Sequence, residues 1–306
     1  MSFKHLINIQ ELDEDKIKAI FKRADQLATL SFDALKKRHE YKIIANLFFE
    51  PSTRTRLSFE TAASRLGMQV LTMNENTSSR VKGESFLDTL LTLEAMDASV
   101  FIIRSKDQDV CYQLAEATNK VLPNIHIINA GGGKLDHPTQ GLLDVYTMLK
   151  HFPNLADKKI SIIGDIKHSR VARSSIQTLA KLGITNIHLV GPSDLLPGDD
   201  NLATYEQHTD IIPGITDADV IMTLRIQKER MQDADIPDTD SYRQQFGLSA
   251  DKVKHANEDA IVMHPGPMNR GVEITSELAD SKQSVITQQV RHGVLIRMAI
   301  LDLMLQ

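Results

Sequence analysis

The stretch IIANLFFEPSTRTRLSFETAASRLGMQVLTM, Ile43 to Met73, decides the fold. It opens on the apolar run Ile43 to Phe49, the pattern of a short strand buried on both faces. Thr53 to Leu66 has helical composition and ends at Gly67, where a left-handed residue can close a helix. Val70 to Met73 then reads as a second strand. Strand, helix and strand in succession make a βαβ unit, whose two strands run parallel.

The alternation continues outward from this unit. Before it, Ile17, Ile20, Phe21, Ala24 and Leu27 recur at helical spacing behind the acidic start Asp13 to Asp15, which favours a helix N-terminus. After it, Phe86 to Met96 predicts a helix, Ser99 to Ile103 a strand, Val110 to Thr118 a helix and Ile125 to Ile128 a strand. A glycine cluster, Gly131 to Gly133, precedes a helix from about Thr139 to Phe152, and the pattern then restarts. Lys159 to Ile163, Ile187 to Val190, Asp219 to Thr223 and Ala260 to Met263 are strands, with a helix reaching Leu182. The proline-interrupted stretch Gln227 to Gly247 reads as a long loop with room for helical turns, the kind of segment that can cover a site. Ser284 to Leu305 is an amphipathic helix whose Leu295, Met298, Leu301 and Leu305 need a surface to pack on. The expected fold class is α/β, two halves of similar size, each a parallel sheet flanked by helices.

Composition excludes several functions. The 306 residues are 42% hydrophobic and 25% charged with a net charge of −5, and the pI is near 6.1, so no broad cationic face exists to grip nucleic acid. Cys111 is the single cysteine and has no partner for an internal disulfide. The N-terminus lacks the apolar core of a signal peptide, and Val294 to Leu305 is interrupted by Arg297 and Asp302, too short and too charged to span a bilayer. A cytoplasmic protein with no membrane role is the expectation.

Ligands of open parallel sheets bind beyond the carboxyl ends of the strands, so the residues that follow each strand carry the chemistry. After the first strand, Ser52, Thr53, Arg54, Thr55 and Arg56 place two cations in the first turn of a helix, whose dipole disfavours them. An anion bound there would accept from hydroxyls, guanidinium groups and free backbone N–H donors together, and a phosphate fits that set. A Ser52 cap with an Arg56 to Glu60 pair is the alternative; it leaves Arg54 unaccounted for and has the weaker charge orientation. The polar loop Asn74 to Glu84, containing Thr77, Ser78, Ser79, Arg80 and Lys82, is also compatible with a merely solvated segment. Arg104 follows the Ser99 strand and reads equally as a ligand or as an ion-pair partner. His137 and Gln140, in the run HPTQ, open a helix, where a neutral imidazole suits a hydrogen bond to a carbonyl oxygen and plain capping is the other reading.

In the second half, Gly164 to Arg170 follows the Lys159 strand and precedes a helix, yet the G-x-G-x-x-G dinucleotide fingerprint is missing, which weakens a dehydrogenase reading. Arg225 and Gln227 follow the Asp219 strand. With Arg170 they offer two guanidinium groups and an amide, a set matched to a dicarboxylate, although either arginine alone suits a structural salt bridge. The turn His264-Pro265-Gly266-Pro267 can present backbone carbonyls to an amide N–H₂ or serve as an ordinary loop. No metal-ligating cluster and no cofactor motif are legible.

Taken in order, FFEPSTRTRLSFE, VKGES, HPTQ, GDIKHSRVARS, LRIQKER and HPGPMNRGVEI resemble the aspartate carbamoyltransferase family over essentially the whole chain. STRTR is shared with the ornithine enzymes, while LRIQ and HPGP, with Pro265 where those enzymes typically have a cysteine, favour aspartate. The resemblance implies a carbamoyl-phosphate domain, residues 1–135 plus 288–306, and an aspartate domain, residues 136–287, the C-terminal helix returning to the first. It implies transfer of the carbamoyl group of carbamoyl phosphate to L-aspartate, in pyrimidine biosynthesis, without metal or cofactor. Arg54, Thr55, Lys82, Arg104 and His137 would be catalytic. Ser52, Thr53, Arg54 and Thr55 would hold the phosphate, Arg104, His137 and Thr55 the carbonyl oxygen, and Gln140, Gly266 and Pro267 the carbamoyl amino group. Arg170, Arg225 and Gln227 would take the aspartate carboxylates. Ser78 and Lys82 match a loop that enters a neighbouring subunit's site, implying a homotrimer with shared sites; regulatory chains are not legible. The rival readings are a carbamoyltransferase for ornithine or an acylated ornithine, against which Arg225 argues, and an anion-binding homologue without turnover.

Overall fold

The computed structural model describes residues 3–74, 83–107, 109–122, 124–133, 136–198, 201–227 and 238–306. The chain forms two compact units, Met1–Leu143 with His292–Gln306, and Asp144–Arg291.

In the first unit α1 (Glu14–Ala28) and α2 (Phe32–Lys36) precede β1 (Ile43–Phe48), α3 (Thr53–Arg65), β2 (Gln69–Asn74), α4 (Phe86–Glu94), β3 (Ala98–Arg104), α5 (Val110–Val121) and β4 (His126–Asn129). The strands pair in parallel in the order β2-β1-β3-β4. α1 buries the five apolar residues its spacing singled out, and Asp13 caps it by accepting the Lys16 N–H at 2.8 Å. Ala45, Leu47 and Phe49 alternate onto one face of the sheet and pack with Leu90 and Leu93 of α4 and Val110, Cys111 and Leu114 of α5. Gly67 closes α3 at φ +82°. A Cβ there would stand 1.8 Å from the Lys36 carbonyl oxygen, so only glycine fits beneath α2.

α6 (Pro138–His151) leads into the second unit. There β5 (Ile160–Ile163), α7 (Arg170–Lys181), β6 (Ile187–Val190), β7 (Glu206–His208), α8 (Ile211–Ile215), β8 (Val220–Thr223), α9 (Thr239–Phe246), α10 (Ala250–Val253), β9 (Ile261–Met263) and α11 (Ser276–Ala279) build a parallel sheet of order β7-β6-β5-β8-β9. Its core gathers Ile163, Val190, Ile221 and Val262 from the strands with Tyr242 and Phe246 from α9. The stretch Gln227 to Gly247, expected as a loop, therefore contains a helix: Asp238 caps α9 by accepting the Ser241 N–H at 2.8 Å, and two aromatic residues anchor it. Residues 228–237 of that stretch lie outside the described residues. α2, α8 and β7 are too short for periodicity to reveal them.

α12 (Ile286–Met304) returns the chain to the first unit. Met298 and Leu301 are buried as expected, whereas Leu295 and Leu305 are only half-buried. Arg297 donates to Thr139 Oγ1 of α6 at 3.3 Å and lies 5.0 Å from the Phe59 ring centroid of α3. Asp302, fully buried, fastens α12 to the start of the fold: it accepts from Arg23 of α1, from Arg38 Nε at 2.5 Å, and from His39 Nε2 at 2.8 Å. Burial alone would raise its carboxyl, but the His39, Arg38 and Arg23 donors together bring it down to about 2 from 3.8. A depressed carboxyl contributes stability above its unfolded value and loses that contribution as pH falls through the folded one. Asp302→Asn should lower stability by about 2 kcal/mol at pH 7. Urea unfolding should show the gap to wild type closing between about pH 4 and pH 2; a constant gap would refute this account of the cluster.

Candidate active site

In each sheet the strand order reverses at one place, between two adjacent strands whose crossovers leave toward opposite edges, and that is where open parallel sheets bind ligands. In the first unit it lies between β1 and β3, in the second between β5 and β8. The residues after these four strands carry most of the groups singled out in the sequence.

After β1, Ser52 is the N-cap of α3 in extended conformation, φ −160° and ψ 100°, and its side chain makes no capping bond. The first turn of α3 contains no acidic residue, so its N–H donors point outward with Thr53, Arg54 and Thr55 around them. Arg54 and Thr53 are exposed and Thr55 is buried. Arg56 is different: its Nε lies 3.7 Å from Glu60, which also accepts from Thr72 at 3.1 Å, so the helical ion pair weighed for Arg56 does form.

Arg104 ends β3, held level with β1 by the Phe49 N–H, which donates to the Arg104 carbonyl at 2.8 Å. Its guanidinium lies 3.3 Å from Glu50 and donates to the Ala130 carbonyl at 3.2 Å, beside the glycine turn. An ion pair and a site position thus coexist, because Glu50 itself follows β1. His137 is 4% exposed, immediately before α6, and its Nε2 stands 3.5 Å from Thr55 Oγ1. Its carbonyl accepts the Gln140 N–H at 2.9 Å and so begins the helix, while Gln140 is itself buried. Tertiary structure thus joins Thr55 and His137 directly and sets Arg104 on the strand end beside β1. Next to His137, Asp136 is pushed up to about 6, chiefly by burial and then by Glu11. Ser78 and Lys82 lie outside the described residues.

In the second unit Arg170 begins α7, 4% exposed, behind Ser169, which caps the helix by accepting the Ala172 N–H at 3.1 Å. Arg225 and Gln227 follow β8, both half-buried. Asp165, which the sequence reading passed over, ties the two loops together. Fully buried, it accepts from the His168 N–H at 3.1 Å and His168 Nδ1 at 2.8 Å, and from the Gln227 N–H at 3.2 Å. Its signal was available: a carboxylate directly after a strand-ending glycine. Gly164 needs to be glycine, since at φ +126° a Cβ would stand 2.6 Å from the Leu224 carbonyl oxygen.

The turn after β9 is wired from beneath. His264 Nδ1 accepts the Gly266 N–H at 2.8 Å, which leaves the proton on Nε2 to donate to Glu273 at 3.0 Å. Glu273 also accepts the Asn269 N–H at 2.5 Å, so both sides of Gly266 and Pro267 are fixed by one buried pair. Gln289 accepts the His264 N–H at 3.1 Å and donates to Asp144 at 2.6 Å, and Asp144 accepts from Ser175 at 2.9 Å. The link from His264 through Gln289 to Asp144 and Ser175 was not legible, for these residues are far apart in sequence.

The arrangement defines a two-unit α/β protein in which arginines follow the strands beside one strand-order reversal in each unit. The chain belongs to the aspartate/ornithine carbamoyltransferase family: residues 4–150 match its carbamoyl-P binding domain and residues 156–304 its Asp/Orn binding domain. Within that family it is 46% identical, over 98% of this chain and 96% of the relative, to an aspartate carbamoyltransferase catalytic subunit of Coxiella burnetii (strain Dugway 5J108-111). It is similar to the catalytic subunit of M. jannaschii aspartate transcarbamoylase, with a TM-score of 0.85 at 33% identity over 99% and 98% of the two chains. The Trypanosoma cruzi aspartate transcarbamoylase solved with carbamoyl phosphate and aspartate matches with a TM-score of 0.86 at 29% identity over 99% and 97%. Among the described residues no helix is long and apolar enough to cross a membrane.

The two arginines of α3 differ in exposure: Arg54 is exposed, whereas Arg56 is half-buried beside Glu60. In calorimetric titration with inorganic phosphate, Arg54→Ala should weaken binding about tenfold or more, the loss of one charge-assisted contact. Arg56→Ala, which removes a side chain engaged by Glu60, should change it by less than about threefold. Equal losses would contradict this distinction.

Proposed function

We propose that this chain transfers the carbamoyl group of carbamoyl phosphate to the α-amino group of L-aspartate, giving N-carbamoyl-L-aspartate and phosphate, a step of pyrimidine formation in the cytoplasm. The observation that carries the reading is the pairing of an acid-free, arginine-bearing helix start in the first unit with Arg170 and Arg225 beside the β5 and β8 ends in the second. One suits a phosphate and the other a dicarboxylate.

Ser52, Thr53, Arg54 and Thr55 bind the phosphate. Arg104, His137 and Thr55 direct donors at the carbonyl oxygen, and Gln140, Gly266 and Pro267 take the carbamoyl amino group. Arg170, Arg225 and Gln227 bind the aspartate carboxylates, with Asp165 positioning Gln227 through its N–H. The first unit, with a proposed extent of 1–135 plus 288–306, is the carbamoyl-phosphate domain, and 136–287 the aspartate domain. The neutral amine attacks the carbonyl carbon, negative charge gathers on the oxygen, and the C–O bond to phosphate breaks as the amine loses its proton. Donors aimed at a developing oxyanion contribute about 10²–10³ in rate each, and the substrate itself supplies the nucleophile. Fixing two anions against each other's repulsion is the remainder of the task.

The discriminating experiment is phosphate release from carbamoyl phosphate with aspartate, ornithine or N-acetylornithine as acceptor. Release should depend on aspartate alone and fall by about 10² or more in Arg54→Ala. Release with ornithine, or near-normal turnover of the variant, would overturn the assignment.

Ser78 and Lys82 serve a neighbouring subunit's site in a homotrimer. Mixing inactive Arg54→Ala and Lys82→Ala chains should then restore part of the activity, because some sites draw intact residues from both. No recovery after proven subunit exchange would remove the shared-site reading.

A further inference from the structure

At the β6 and β7 edge of the second sheet, three ligating side chains outside the proposed catalytic set meet: His188, Glu206 and His208. Parallel register sets His188 opposite Glu206 and Val190 opposite His208, so the period of two puts 188, 206 and 208 on one face. His188 Nδ1 lies 2.8 Å from His208 Nε2 and 3.6 Å from Glu206 Oε2, and His208 Nε2 lies 3.3 Å from Glu206 Oε1. We propose that these three residues form a binding site for a divalent transition ion of the zinc class, which pins the edge strand β7 to β6.

His188 Nδ1 faces one Glu206 carboxylate oxygen and His208 Nε2 the other, so the three groups already surround a common point. Ligand atoms about 2.0–2.1 Å from zinc stand about 3.3–3.4 Å apart, so the imidazole pair must open by about half an ångström and the exposed Glu206 carboxylate must turn one oxygen toward both nitrogens. Two imidazoles and a carboxylate are the borderline donor set such ions take, and three protein ligands leave a fourth position for water. Exposure is graded to suit: the imidazoles are largely covered, whereas the Glu206 side chain is 63% exposed and leaves an entry path.

The surroundings prepare the ligands. His188 Nε2 stands 3.0 Å from Asn186 Oδ1, and donation there holds the proton on Nε2 and leaves the Nδ1 lone pair facing the other two groups. Orientation of a ligating histidine through its second nitrogen is the usual support in metal centres. Without an ion, His208 Nε2–H fills the gap by donating to His188 Nδ1; the ion replaces that proton as His208 moves it to its own Nδ1. The Lys159 ammonium, fixed at 2.9 Å to the Thr216 carbonyl, opposes a cation here, and the Glu206 carboxylate offsets it. The sequence suggested no metal group, because His188 is separated from the Glu206-Gln207-His208 run and only strand pairing unites them.

The test is calorimetric titration of the chelator-stripped full chain with zinc chloride, supported by the visible spectrum of its cobalt(II) form. One equivalent should bind at micromolar or lower concentration, with the intense bands of four-coordinate cobalt. His208→Asn and the exposed Glu206→Gln should each lower affinity by at least about tenfold, and Asn186→Ala by about tenfold. Glu206→Gln should fold and release phosphate as wild type does, which separates lost binding from lost structure. No binding at tens of micromolar, or undiminished binding in both ligand variants, would overturn the proposal.

Discussion

Parallel strands can be joined only by crossovers, and wherever successive crossovers leave a strand on opposite sides, the loops splay apart and open a crevice. Each sheet here has one such place, beside β1 and beside β5. Arg54 and Arg104 are separated by fifty residues of chain, about the same as Arg170 and Arg225, yet each pair follows two strands that lie side by side.

The helix that follows β1 supplies the second constraint. Its first turn has donors without acids, and Ser52 leaves the cap unfilled by its own side chain. By contrast α1, α4, α7 and α9 are all capped by a side chain. A helix start lacking both devices leaves N–H donors for other acceptors, which is the ground of the proposed phosphate contact at α3. Buried carboxylates elsewhere are paired: Asp302 collects donors from Arg23, Arg38 and His39, Asp165 from His168 and Gln227, and Glu273 from His264 and Asn269, so they hold the scaffold in place.

Much of the fold was legible because its segments are long relative to their periods. α1, β1, α3 and β6 follow their patterns to within a residue or so, and the return of α12 followed from the family resemblance rather than from its own apolar face. Three-residue β7 and five-residue α8 offer too few positions for a period to emerge, and α9 was hidden by the polar surroundings of Tyr242 and Phe246. Residue types after strand ends brought forward Arg54, Arg104, His137, Arg170 and Arg225 as candidates. Asp165 stood in the same position and was passed over, since a single carboxylate beside several cations reads as solvated until its three donors are seen.

The sequence by itself determined two parallel sheets, the places where they end, and which side chains stand there, since those follow from local periodicity and from backbone rules that need no neighbour. Tertiary structure decided which of them meet. Thr55 reaches His137, Asp165 takes the Gln227 N–H, and His188 joins Glu206 and His208. Most of these meetings depend on strand order and register, which are set by how crossovers pack apolar faces and which local periodicity does not encode.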